Sequence, residues 1–269
     1  MPFRHAAHVG APRVTFTAGG KRKRWISGRD FALRPSITQA HRLIDAPLVF
    51  AGHGISDAKL GIDEYAGLDA RGKVVVVFRG TPEGLPNDIG AHLENSKEQV
   101  AARHGAVGYA EISAGHSGIS WLANRPIIDW AAGPRDAGAQ GDIPAMLTLA
   151  PEAAKALFDG AARSLQSVLR EGGKPIRGFP LRGRLTIQSD SAWQDFKSPN
   201  VIAVLPGADP ALRSQYVVVG GHLDHLGMDP QARPPADAIF NGAMDNASGV
   251  ATLIEAARSF VASGKPPRR

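Results

Sequence analysis

The run Val74-Val75-Val76-Val77-Phe78, set between Gly72-Lys73 and Arg79-Gly80, restricts the fold more than any other feature of the chain. An unbroken β-branched run has no polar face. As a strand it must be covered on both sides, the situation of an interior strand in a layered α/β domain. Its neighbours agree. Lys97, Val100, Ala101 and His104 recur at helical spacing and stop at Gly105, and residues 106–112 read as the next strand. Upstream, residues 48–55 are apolar with interspersed glycines, and residues 63–71 form a polar connector holding Tyr65 and Leu68. Residues 143–149 give a further strand, and Pro151 suits the first position of a short helix through Leu157. Residues 115–142, rich in Gly, Ala and Pro, read as an exposed loop.

Two more segments flank this block. Val14 and Phe16 face Trp25 and Ile26 across Gly19-Gly20, a hairpin whose tip carries the basic residues 21–24. From Pro180 a second unit begins: residues 181–187 alternate as a half-buried strand, residues 200–205 form a strand ending at Pro206-Gly207, and residues 216–220 form a third, buried one. The expected organisation is a β-hairpin segment over 1–40, a domain over 41–179 and the start of a further domain over 180–269. A length of 269 residues accommodates about two domains.

The absence of cysteine excludes a disulfide framework, a thiolate zinc finger and a cysteine nucleophile together. The net charge of +6 raises nucleic-acid binding, but no aromatic residues interleave the basic tip, and a charge run at a turn is ordinarily a solvated hairpin end. No apolar run reaches the ~18 residues of a membrane helix, and no export signal opens the chain. The expectation is no nucleic-acid partner and no membrane span.

The chemistry concentrates near the C-terminus. Val217-Val218-Val219-Gly220-Gly221-His222-Leu223-Asp224-His225 ends a strand in His-x-Asp, at the position where open α/β sheets place ligands. Some twenty residues on, Asn241-Gly242-Ala243-Met244-Asp245-Asn246-Ala247-Ser248-Gly249 opens an expected buried helix, in which Val250, Leu253, Ile254, Ala257, Phe260 and Val261 recur at helical spacing before Gly264 and Pro266. A neutral imidazole (His222) and a carboxylate (Asp245) are suitable zinc ligands, and the Asp224 carboxylate can hold the tautomer that leaves the other His222 nitrogen free. His-x-Asp is also common by chance, and a lone strand-end histidine is ordinarily a surface residue.

These strings closely resemble the first half of the co-catalytic di-zinc aminopeptidase family, the twenty-eighth metallopeptidase family. Residues 198–207, Ser-Pro-Asn-Val-Ile-Ala-Val-Leu-Pro-Gly, are similar to its lead-in strand, while residues 48–55, 65–69 and 72–76 resemble the protease-associated (PA) domain inserted in many members. The resemblance implies a mixed-sheet α/β zinc-exopeptidase domain, incomplete here, plus a β-rich α+β PA insert over 41–179. It implies that His222 binds one zinc, that Asp245 bridges two, that Asp224 orients His222, and that a cis peptide follows Asp245. The implied partners are peptide substrates, and the implied location of the parent protein is extracellular or periplasmic.

Two departures stand out. Met244 occupies a position where the family commonly has a second acidic residue. The family's adjacent Glu-Glu pair, which supplies the general base and a ligand, is nowhere in the chain, nor are the later Asp and His ligands recognisable. The expectation is a C-terminally truncated chain that is catalytically inactive and binds zinc weakly. The rival reading makes the PA-like part a non-catalytic peptide-binding module. His53, His92, His104 and His116 lack partners at ligand spacing and read as structural or surface residues, Gly52-x-Gly54 and Ser248-Gly249 as turns, and Asp237 as a loop carboxylate.

Overall fold

The computed structural model describes residues 2–113, 118–123, 125–130, 143–171, 173–229 and 232–267. They fall into two compact units, Met1–Pro199 and Asn200–Arg269.

The first unit is built on a mixed sheet. Its strands are β1 (Pro2–His8), β2 (Arg13–Ala18), β3 (Lys21–Trp25), β4 (Phe31–Leu33), β5 (His41–Phe50), the short pair β6 (Ser56–Asp57) and β7 (Ile62–Asp63), β8 (Val74–Phe78), β9 (Gly108–Ile112), β10 (Ile127–Trp130), β11 (Met146–Leu149) and β12 (Phe179–Lys197). The helices are α1 (Asn87–Arg103), α2 (Ile119–Ala123), α3 (Pro151–Leu157) and α4 (Leu165–Leu169). The sheet runs β10-β1-β12-β5-β8-β9-β11-β4, with β2 on β12 and β3 on β2, while β6 and β7 pair apart from it. Strands β5, β8, β9 and β11 are mutually parallel and the other pairings are antiparallel.

Strand β8 lies in the parallel core with all five residues buried, as its unbroken run requires. Val74, Val76 and Phe78 pack in one cluster with Leu48, Phe50, Leu147, Leu149 and the α3 and α4 residues Ala153, Ala154, Leu157 and Val168. Val75 and Val77 point the other way, into a cluster with Val49, Tyr65 and the α1 residues Val100 and Ala101. Each fully buried Val or Phe contributes about 1.5–3 kcal/mol, so this strand anchors both layers.

Local signals act where they stand. Gly19 and Gly20 both have positive φ (54° and 74°) and join β2 to β3 with Ala18 opposite Lys21, the two-residue turn whose twist matches a hairpin. Helix α1 ends as its Gly105 predicts: the Gly105 N–H donates to the Ala102 carbonyl and the Ala106 N–H to the Ala101 carbonyl. Pro151 is the first residue of α3, which ends at Leu157.

Four expectations are revised. Residues 181–187 do not open a second unit; they are the middle of the 19-residue β12, which pairs with β5, β2 and β1 and so joins the N-terminal hairpin and the central strands in one sheet. The stretch 115–142 holds α2 and β10 within its described part; the remainder lies outside the described residues. Residues 200–205 and 216–220 are not strands among the described residues and are exposed: Val201 is 92% and Val218 88% accessible. The helix after Asp245, α5 (Ser248–Ser263), forms as expected and ends at Gly264, but none of its residues is buried. The reason is common to the last two. An apolar run records what a segment needs, whereas burial depends on a covering layer, and a unit of about 70 residues rarely supplies a core by itself.

Candidate metal centre

The second unit carries the His-x-Asp segment on a stretch without ladder pairing, next to a small hairpin, β13 (Gly227–Met228) with β14 (Ile239–Phe240). Asp237 organises the chain after it. One of its oxygens accepts from the Ile239 N–H (2.9 Å) and the other from the Asn241 amide (3.2 Å), so this loop carboxylate shapes the turn that leads to Asp245. Across Ala243–Ala247 the backbone is kinked: Asp245 (φ −127°, ψ 82°) and Asn246 (φ −138°, ψ 39°) are non-helical, and a cis peptide joins them, as expected. The Gly249 N–H donates to the Asn246 side chain (3.2 Å), closing the turn onto the start of α5. On the other side, a Cβ on Gly221 would stand 3.2 Å from the Val250 side chain, so the residue before His222 packs directly on the first turn of α5. These contacts bring His222 and Asp245 together although 23 positions separate them.

His222 Nε2 lies 3.1 Å from Asp245 Oδ1. Its other nitrogen, Nδ1, donates to the main-chain carbonyl of Asp224 at 2.9 Å, with the Asp224 carboxylate at 3.3 Å. Asp224 thus meets the imidazole through its main-chain carbonyl rather than, as expected, chiefly through its carboxylate, which stands farther off. The arrangement directs Nε2 toward Asp245. The His222 pKa is raised, first by the hydrogen bond to the Asp224 carbonyl, which outweighs the opposing effect of burial, and then by the Asp224 and Asp245 carboxylates. His225, one turn of sequence beyond His222, brings Nδ1 to 3.8 Å from the second Asp245 oxygen and sets its ring edge-on to Phe240. Sequence reasoning passed over His225; its place beside Asp224 was the available signal. Met244 is 83% exposed, and its carbonyl accepts the Ser248 hydroxyl.

The donor set suits a borderline divalent cation. Ligand bonds of ~2.0–2.2 Å in tetrahedral array put neighbouring donors roughly 3.3 Å apart, close to the observed 3.1 Å between His222 and Asp245. Both side chains are more than half exposed, so an ion can reach them. No group of three or more His, Cys, Asp or Glu side chains arranged to hold a metal occurs among the described residues.

The first unit contains buried polar groups that the sequence did not reveal. The Glu64 carboxylate accepts the N–H groups of His53 (2.8 Å), Ile55 (3.0 Å) and Ile176 (2.8 Å), and the His53 ring nitrogen Nδ1 at 3.2 Å. Gly52, at φ +56°, leaves the room that this carboxylate occupies: a Cβ there would fall 2.2 Å from Glu64 Oε1. His53 is thus a structural histidine, as read, and Gly52-x-Gly54 a turn. Lys97, buried on α1, donates to the carbonyls of Phe78 (3.0 Å) and Gly80 and pairs with Glu94. His104 stacks on Tyr65 at 4.1 Å, and His92 is exposed. His116 lies outside the described residues.

Comparison with known proteins agrees with the motif. Residues 200–269 match the model of peptidase family M28. Among solved structures, a zinc aminopeptidase from Bacillus subtilis is similar at 14% identity and a TM-score of 0.30, over 77% of this chain and 39% of that one. The chain therefore spans about two fifths of the length of that structure. No curated protein matches. No helix among the described residues is long and apolar enough to cross a membrane. The family match thus falls on the segment that carries His222 and Asp245, residues 200–269, which is similar to peptidase family M28.

Proposed function

We propose that the chain carries the opening metal-ligand segment of a zinc-dependent aminopeptidase that releases residues from peptide N-termini. The observation that carries this reading is the convergence of His222 Nε2 and Asp245 Oδ1 at 3.1 Å inside the segment that matches the family. In the reading, His222 and Asp245 would hold zinc, and Asp224 positions His222. Bound zinc supplies Lewis acidity toward the scissile carbonyl and a water of lowered pKa. The residues of this chain hold the ion and set the imidazole tautomer. These 269 residues contain no adjacent Glu pair to supply a general base, and in this reading the 269-residue chain by itself is inactive. Residues 41–179 are a PA domain, and the parent protein works outside the cytoplasm.

Two assays test this. The protein purified from its natural source is expected to release amino acids from peptide N-termini and to stop when a chelator removes the metal; no release in the presence of zinc would overturn the peptidase reading. The 269-residue chain is expected to leave an aminoacyl p-nitroanilide intact. Turnover that disappears in His222→Ala would overturn its inactivity.

A further inference from the structure

Strand β3 is an edge strand whose four leading residues, Lys21, Arg22, Lys23 and Arg24, are all exposed. It pairs with β2 on one side, from Val14 opposite Trp25 to Ala18 opposite Lys21. On its other side the main chain of residues 21–24 bonds to none of the described residues. Side chains alternate along it. Trp25 is buried, so Arg22 and Arg24 stand on the opposite face, with Thr15 and Thr17 beside them and Arg13 farther along β2. Arg13 and Arg24 both line a surface cleft with Gly10, Gln188 and Asp190.

The nearby carboxylates are already engaged. Asp45 pairs with Arg184 (3.1 Å), Asp190 with His41 (2.9 Å) and Asp30 with Arg29 (2.9 Å). Among the described residues, Arg13, Arg22 and Arg24 make no side-chain hydrogen bond or ion pair; the Asp45 pKa is lowered first by its hydrogen bond to Arg184 and least by Arg22. The surface therefore combines unpaired main-chain donors and acceptors with cations at every position. Charged edge residues keep like edges apart, and the same charges attract an extended segment of opposite sign.

We propose that β3 docks an acidic peptide in extended conformation, which adds to the sheet edge as a further strand and sets its alternate carboxylates against Arg22, Arg24 and Arg13. The exposed edge, at ~3.3 Å per residue, accommodates four to five peptide residues. A peptide is favoured over a nucleic acid because the hairpin aromatics, Phe16 and Trp25, are buried against each other (centroids 5.8 Å apart) and present no surface for base stacking. This inference concerns the first unit and stands apart from the peptidase reading.

The test is fluorescence anisotropy of a labelled Glu-Val-Glu-Val-Glu-Val peptide titrated with the 269-residue chain, beside the Lys-Val counterpart, an N-methylated Glu-Val peptide and a single-stranded oligonucleotide. Expected are binding of the acidic peptide alone, weakening with added salt, and a loss of about tenfold or more in the Arg22→Glu, Arg24→Glu double variant, whose changes lie on exposed side chains. Circular dichroism confirms that this variant is folded. No binding of the acidic peptide, or equal binding by the double variant, would overturn the proposal. Equal binding of the N-methylated peptide would overturn strand addition, and tighter binding of the oligonucleotide would overturn the choice of ligand.

Discussion

Glu64→Gln changes the first unit by one atom's chemistry at constant volume, so no cavity complicates the result. One Glu64 oxygen accepts from the His53 and Ile55 N–H groups and the other from the Ile176 N–H and the His53 ring. A glutamine has one acceptor oxygen. Whichever way the amide is set, its NH2 confronts at least one main-chain N–H: that of Ile176, or those of His53 and Ile55. A buried donor left unpaired costs about 1–3 kcal/mol, and the retained bonds lose their charge assistance. The side chain is 1% exposed, so water does not relieve the clash. The expected loss is about 3 kcal/mol, equivalent to a fall in Tm of roughly 6–12 °C for a unit of this size. Urea unfolding followed by far-UV circular dichroism, with a thermal scan alongside, measures it. A variant within ~0.5 kcal/mol of the parent would show that the carboxylate does not tie residues 53–55 to residue 176, and the reasoning would fail.

Lys97→Met keeps the apolar stem on α1 but leaves the Phe78 and Gly80 carbonyls and Glu94 without their cation; a loss of about 3–5 kcal/mol in urea unfolding is expected, and an unchanged midpoint would contradict it. Glu111 has a pKa raised first by burial and then by Glu94, against the opposing effects of Lys97 and Arg79. Its folded form thus holds its proton to higher pH than the unfolded chain does, so its contribution falls as pH rises through the ordinary carboxylate value toward the raised one and stays lost above it. Stability measured from pH 4 upward should therefore fall less in Glu111→Gln than in the parent, and parallel curves would refute the assignment.

The parts of the fold that were legible in the sequence are those governed by neighbours along the chain. The turn at Gly19-Gly20, the stop at Gly105 and the start at Pro151 depend on backbone conformations that the residues themselves dictate. The Val74–Phe78 run demanded two covering layers and has them. What was not legible depends on distant partners. Alternation revealed residues 181–187, yet the strand extends to Lys197 because β1 supplies a ladder for its polar end. Val217, Val218 and Val219 were read as buried from their own apolarity, which says nothing about a cover. At the site, the pairing of His222 with Asp245 followed from the motif, while the main-chain role of Asp224 and the approach of His225 come from the turn geometry. Glu64 and Lys97 left faint traces only: Lys97 falls on the same helical stripe as Leu93, Val100 and Ala101, where a charge signals a buried partner.

The account rests on His222 and Asp245 holding a metal ion together. Calorimetric titration of zinc into the 269-residue chain and into its His222→Ala and Asp245→Ala variants tests this directly. The expected result is weak binding to the parent chain that each substitution abolishes. Titrations indistinguishable among the three chains would contradict the account.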